Sequence, residues 1–292
     1  MNPRRTLALV INPKSGSCEP ESVVAALEAH GATVTQFELS ECAAAATSGS
    51  DRMVVAGGDG SIGPAAAEAA RARLEFAVIP AGTANDFARA AGIPLDIDEA
   101  AELAATGEHL KPVDLCHMGE RPFVNVASTG LSVHAAKKAH GFKRMLGALA
   151  YPVGALRAGF SAPRIRCTIE IDGTEWFAGA AWQVLVANTG AFGGGTQLET
   201  SDESDARLDV TVIEAGSRLG LARRAFGMKT GRLAIQSGVH NARGTNVAVH
   251  MRKGLGYNVD GETVSAASVA HFTVEPRSIQ LVTPLSNELR KP

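Results

Sequence analysis

Three uninterrupted apolar runs in the N-terminal third, residues 7–11, 53–56 and 76–79, each break off at a loop of glycine, proline and polar residues. The loops read Asn12-Pro13-Lys14-Ser15-Gly16, Gly57-Gly58-Asp59-Gly60-Ser61 and Pro80-Ala81-Gly82-Thr83. Apolar runs without alternation are strands covered on both faces. Helical spacing lies between them. Over residues 21–30 Val24, Ala25 and Leu27 share a side, and Gly31 is placed to end the helix. A further strand over 33–39 leads into an alanine-rich helix. Strands separated by helices need crossover connections, which are right-handed and give a mostly parallel sheet. Such sheets bind ligands beyond the C-terminal ends of their strands, so the three loops are expected to meet at one site.

The pattern changes after about Asp114. Residues 123–126, 164–171, 181–187, 208–213, 245–250 and 271–274 read as short strands, many separated by turns such as Asp172-Gly173 and Asp260-Gly261. Only 135–159 and 219–233 read as helices there. The expected fold is an α/β nucleotide-binding domain over residues 1–114, then a β-rich, antiparallel domain over 115–277.

The formal charge of −2 supplies no general attraction to nucleic acid, so no nucleic-acid partner is expected. Four scattered cysteines without a C-x-x-C pair read as reduced core residues, and eight histidines show no metal-ligand spacing. Neither a signal peptide nor a membrane span is present, which predicts a cytoplasmic protein able to touch a membrane only from its surface.

The glycine turn at 57–61 follows a buried strand and opens a helix. Glycines allow close approach of the main chain to a ligand, and a helix N-terminus carries partial positive charge. Asp59 is thereby set among N–H groups able to reach a phosphate. Alone, such a turn equally well only closes a strand–helix unit.

Taken together, Gly57-Gly58-Asp59-Gly60-Ser61 and Pro80-x-Gly-Thr-x-Asn-Asp-Phe-Ala-Arg89 resemble the diacylglycerol kinase catalytic-domain family, of the bacterial lipid kinase type. Asn12-Pro13-x-Ser-Gly16, Phe123-x-Asn-x-Ala-Ser-x-Gly130, residues 143–151, Asn188 with Gly193-Gly194-Gly195, and Asp260-Gly261-Glu262 continue the resemblance in order. It implies a β-sandwich-like second domain, a tail (278–292) returning to the first domain, and an active site in the cleft between them. The implied reaction is ATP- and Mg²⁺-dependent phosphorylation of a lipid hydroxyl, with diacylglycerol, sphingoid bases, ceramide and phosphatidylglycerol all open as acceptors. Asn12, Pro13, Lys14, Ser15, Gly16 and Gly57, Gly58, Asp59, Gly60, Ser61 would surround the nucleotide phosphates. Ser40 and Thr83 would contact the nucleotide, and Asn85 and Asp86 would orient the loop and the acceptor. Asp59 would act at Mg²⁺ or at the attacking hydroxyl, and Glu262 would be the general base. The resemblance also implies a second, structural Mg²⁺ held partly through backbone carbonyls at Ser204, Arg207 and Asp209, with Asp205 nearby; a solvated acidic loop is the alternative.

The chain departs from the family at Ser61 (usually Thr), Gly63-Pro64 (Asn-Glu), Glu199-Thr200 (Ala-Pro) and Ala206 (Gly). Pro64 is expected in the first helical turn. Basic residues interleave with apolar ones at 137–149 and 218–232, which would suit an anionic membrane surface. The competing readings are an NAD kinase, whose Thr-x-x-Gly-Ser-Thr-like stretch is not seen, and a binding protein that keeps the fold without the chemistry. Oligomeric state is not written in these motifs, and a homodimer is compatible with them.

Overall fold

A computed structural model describes residues 4–12, 19–131, 133, 164–189, 191–192, 196–197, 204–217, 237–252, 255–265 and 267–285. Residues 13–16, the two helices read at 135–159 and 219–233, both basic segments, Gly193-Gly194-Gly195 and Glu199-Thr200 lie outside the described residues.

The N-terminal part runs β1 (Thr6–Ile11), α1 (Pro20–Ala29), β2 (Thr33–Glu38), α2 (Cys42–Ala46), β3 (Arg52–Gly57), α3 (Asp59–Ala72), β4 (Glu75–Pro80), α4 (Asp86–Ala90) and α5 (Ile97–Thr106). Its strands are parallel in the order β2-β1-β3-β4. Side chains alternate between two covered faces. Val10, Val55 and Val78 pack with Ala65, Ala66 and Ala69 of α3, while Leu9, Val54 and Ala77 pack with Leu27 of α1 and Ala101 and Ala104 of α5. The alanines make these close helix–sheet contacts, which accounts for runs that look featureless in the sequence.

The remaining strands are β5 (Leu110–Met118), β6 (Arg121–Phe123), β7 (Val126–Gly130), β8 (Ile165–Ile171), β9 (Thr174–Ala187), β10 (Ala191–Phe192) and β11 (Thr196–Gln197). They continue with β12 (Leu208–Glu214), β13 (Val239–Gly244), β14 (Asn246–Met251), β15 (Gly256–Val259), β16 (Glu262–Ser265) and β17 (Val269–Val282). Pairings among these strands are antiparallel, around a core that includes Phe123, Val184, Val210, Tyr257 and Phe272.

β17 joins the two parts into one sheet. It pairs with β14 and β5 antiparallel, then lies parallel to β4 through Gln280–Glu75 and Leu281–Phe76. Between Glu275 and Ile279 its register shifts, with Arg277 at φ 48°. The fully buried Asp114 fastens this bend, accepting from the Arg277 N–H at 2.7 Å.

Two local expectations are corrected. The strand read at 123–126 is interrupted at Val124 and Asn125, whose N–H groups go to the Asp260 carboxylate instead of a ladder partner. Pro64 is not in the first turn, because α3 starts at Asp59 with Gly58 as its N-cap. Gly63 explains itself sterically: a Cβ there would sit 2.8 Å from the Pro122 carbonyl oxygen, so a larger residue would push α3 off β6.

Candidate active site

The C-terminal ends of the parallel strands β1, β3 and β4 bring Asn12, Gly57-Gly58 and the loop at 81–85 to one end of the sheet. Because Asp59, Gly60 and Ser61 are already helical, the turn proper is only Gly57-Gly58. Asn12, following β1, donates from Nδ2 to the Ser61 hydroxyl at 2.9 Å and ties the end of that strand to α3. The third loop runs against the second, backbone to backbone. A Cβ on Gly82 would lie 2.5 Å from Gly58 Cα, so neither loop keeps its place if Gly82 gains a side chain. Asn85, at φ 52°, closes that loop on itself: its Oδ1 accepts from Gly82 N at 2.9 Å and its Nδ2 donates to Gly82 O at 3.2 Å. Thr83 is exposed within the closed loop, and Asp86 is buried at the start of α4. Ser40 is exposed in a 3₁₀ turn (Leu39–Glu41) at the same edge of the sheet.

Asp59 is half-buried and held from both parts of the molecule. Its Oδ1 accepts from Phe87 N at 2.9 Å and from Asn125 Nδ2 at 3.2 Å. Thr189 donates to Asn125 Oδ1 at 2.8 Å and so sets which way that amide faces. Asp59 Oδ2 takes no hydrogen bond among the described residues, which leaves an oxygen suited to a hard cation that retains most of its waters. Glu262, the first residue of β16, pairs with Arg121 Nη2 and is half-exposed. Its Oε1 lies 2.9 Å from where a Gly60 Cβ would be. The Glu262 side chain therefore lies against the residue that follows Asp59, although the two acids are far apart in the chain.

Asp260 supports this arrangement. Its Oδ2 accepts from Val124 N at 2.8 Å, and its Oδ1 from Asn125 N at 3.0 Å and Val126 N at 2.9 Å. One carboxylate thus positions Asn125 while the following turn, with Asp260 at φ 46° and Gly261 at φ 90°, presents Glu262. Burial pushes the Asp260 carboxyl up to about 7, against the three N–H bonds that pull it down, and the nearby Asp59 adds to the rise. A proton held by the folded but not the unfolded chain stabilises the fold at acid pH. That stabilisation is complete below about pH 4 and is lost as the pH rises through about 7. Asp260→Asn turns one acceptor into an NH₂ group facing an N–H donor, at a cost of about 1–3 kcal/mol. Chemical unfolding at several pH values between these limits should show wild-type stability declining with pH and the variant's changing less; equal slopes would exclude the assignment.

The second cation site is not brought together as an open ligand set. Asp205 and Asp209 both carry the Arg243 guanidinium, and the Ser204 carbonyl accepts from Arg277 Nε at 3.4 Å. Arg207 contributes its N–H to Asp205 Oδ1 at 3.0 Å. No group of three metal-ligating side chains occurs among the described residues. The side chains of this loop, engaged by Arg243, do not fit a resident Mg²⁺.

Asn125 and Asp260 stand inside recognisable motifs, yet their roles depend on contacts between residues far apart in the chain that no local pattern announces. Arg121 carries no sequence signal at all: its partner Glu262 is remote and the pairing of strands alone brings them together. The three described cysteines, Cys42, Cys116 and Cys167, are free and buried, as expected of core thiols.

Residues 6–118 match the Diacylglycerol kinase catalytic domain family, and residues 125–283 match the YegS C-terminal NAD kinase beta sandwich-like domain. The "Probable lipid kinase YegS-like" protein of Pseudomonas aeruginosa is 32% identical over 251 residues, covering 81% of this chain and 78% of that one. A diacylglycerol kinase of Mycobacterium tuberculosis is 27% identical over 248 residues, covering 83% and 80%. The crystal structure of a diacylglycerol kinase from Bacillus anthracis superposes with TM-score 0.77 at 23% identity, covering 96% of this chain and 97% of the other. An Archaeoglobus fulgidus NAD kinase in complex with ATP gives TM-score 0.52 at 13% identity over 98% and 96%. Both likenesses speak for the fold.

Proposed function

The chain belongs to the diacylglycerol kinase-type lipid kinase family, and from that premise we propose that it transfers the γ-phosphoryl group of ATP to the hydroxyl of diacylglycerol or a related lipid. The observation that carries this reading is that the Glu262 carboxylate lies against Gly60, the residue that follows Asp59 at the N-terminus of α3.

Phosphoryl transfer passes through a loose transition state, so catalysis is mainly positioning and charge neutralisation. The N–H groups opening α3, with residues 12–16, Ser40 and Thr83, would hold the nucleotide so that its terminal phosphate faces the cleft. Asp59 Oδ2 would hold Mg²⁺, which supplies charge neutralisation at the phosphates when bound. Asn125 and Phe87 N fix the Asp59 carboxylate, and Arg121 orients Glu262. Glu262 accepts the proton of the acceptor hydroxyl as the lipid oxygen bonds to phosphorus. The bond from phosphorus to the bridging oxygen breaks, and ADP departs. Asn85 and Asp86 keep the loop beneath this exchange in place. The acceptor would be met at a membrane surface, which the basic segments at 137–149 and 218–232 would approach. No helix among the described residues is long and apolar enough to cross a membrane.

Incubation with labelled ATP and a panel of diacylglycerol, sphingoid base, ceramide, phosphatidylglycerol, NAD and no acceptor tests the proposal. Label in a lipid product is expected. Label only in the NAD product would replace it with the NAD kinase reading, and label in no product would leave a binding protein with this fold.

A further inference from the structure

The loop before β12 has the composition of a cation site but is electrically closed by the chain itself. Arg243 on β13 stands directly opposite Asp209 on β12. Its Nε donates to Asp209 Oδ1 at 2.7 Å and its Nη2 to Asp209 Oδ2 at 3.4 Å, while Nη1 reaches Asp205 Oδ2 at 3.1 Å. The remaining Asp205 oxygen accepts from Arg207 N, and the Ser204 carbonyl from Arg277 Nε. The four carboxylate oxygens and the Ser204 carbonyl, which a hard cation would need from this loop, are thus each turned toward an N–H.

The loop also keeps a shape that normally calls for glycine. Ala206 has φ 63°, a conformation that costs a residue with a Cβ about 1–2 kcal/mol. Its N–H is anchored to Asp114 Oδ2 at 2.7 Å. Asp114 also holds the bend of β17 through Arg277 N, so the loop and the bend share one carboxylate.

We infer that the Arg243 guanidinium, seated on Asp205 and Asp209, is a built-in counter-cation that stands in this loop for a divalent metal, so that the loop is stable without one. A guanidinium spreads one charge over a planar fork matched to carboxylates. Mg²⁺ demands near-octahedral oxygen ligation and parts reluctantly with its waters, so it competes poorly for oxygens already engaged this way.

Thermal unfolding of the full chain, without nucleotide or acceptor, tests this independently of catalysis. Wild type should melt within about 1 °C in EDTA and in millimolar MgCl₂, a difference too small for a stabilising bound metal. Arg243→Ala should melt about 2–4 °C lower in EDTA and regain much of that loss with MgCl₂, since two carboxylates are released to a cation. Adding Asp209→Asn to that variant should abolish the recovery, which separates this loop from Asp59. If Arg243→Ala does not fold, Arg243→Gln serves in its place, and Mn²⁺-induced water relaxation should not differ between wild type and Asp209→Asn; a loss of binding in Asp209→Asn would count against the inference. A saturable Mg²⁺ stabilisation of wild type that Asp209→Asn removes would overturn the inference. So would an arginine variant that responds to Mg²⁺ no more than wild type.

Discussion

Glu262→Gln is expected to lower turnover by about 10²–10⁴-fold while leaving ATP affinity and the melting temperature almost unchanged. The amide keeps the size of the side chain but cannot take the acceptor's proton. Glu262 is half-exposed, so its replacement opens no cavity and strands no buried charge. Gly60→Ala should reach the same residue from the other side. The new methyl would fall 2.9 Å from Glu262 Oε1 and 3.0 Å from its Cγ, so the carboxylate must move. Misplacement of a reacting group by about 1 Å costs on the order of 10²-fold. Turnover by Glu262→Gln within a few-fold of wild type would remove Glu262 from the role of base. Full activity of Gly60→Ala would show that its position is not critical.

The largest loss of stability is expected at Arg52. It begins β3, is completely buried, and donates to the Glu75 carboxylate from Nε at 2.9 Å and Nη2 at 2.5 Å. Its remaining N–H groups go to the carbonyls of Ala104 and, at 2.7 Å, Gly107, where α5 ends. A single guanidinium thus ties the starts of two strands to the end of the helix that covers them. Glu75 is one-third exposed and keeps Arg5 at 4.0 Å. The loss therefore falls on the buried Ala104 carbonyl and on the space the side chain fills, together about 3–5 kcal/mol. Arg52→Ala should accordingly lower the melting temperature by about 6–15 °C. Arg52→Lys should recover little, since an ammonium cannot reproduce the fork. A drop of a degree or two in differential scanning calorimetry would refute the clamp.

The alternation of strand and helix was readable because each apolar run is continuous and each ends in glycine or proline. The loops at 57–61 and 80–83 were readable for the same reason: Gly58 and Gly82 are required by the contact between them. What could not be read was anything made by two distant segments. Arg52 stands at the head of an apolar run and gives no hint that its charge is fully buried. Arg243 lies in an exposed-looking stretch of a hairpin, and only its register with Asp209 reveals why the acidic loop differs from a cation site. Residues 123–126 had strand composition, yet three N–H groups were claimed by Asp260. Pro64 lies one turn deeper in α3 than its motif suggests, because Asp59, which has the look of a turn residue, already opens the helix.

β17 has a bearing on how the protein is made. The partner of Glu75 in the sheet is Gln280, and that of Phe76 is Leu281. During synthesis β1 to β4 leave the ribosome early, but the outer edge of β4 stays unpaired until almost all of the described chain has followed. The N-terminal half is therefore unable to complete its sheet as an independent unit, and for that interval it offers an apolar edge to any other nascent strand. Translation speed and chaperone supply, rather than equilibrium stability, would then govern how much active protein a cell obtains.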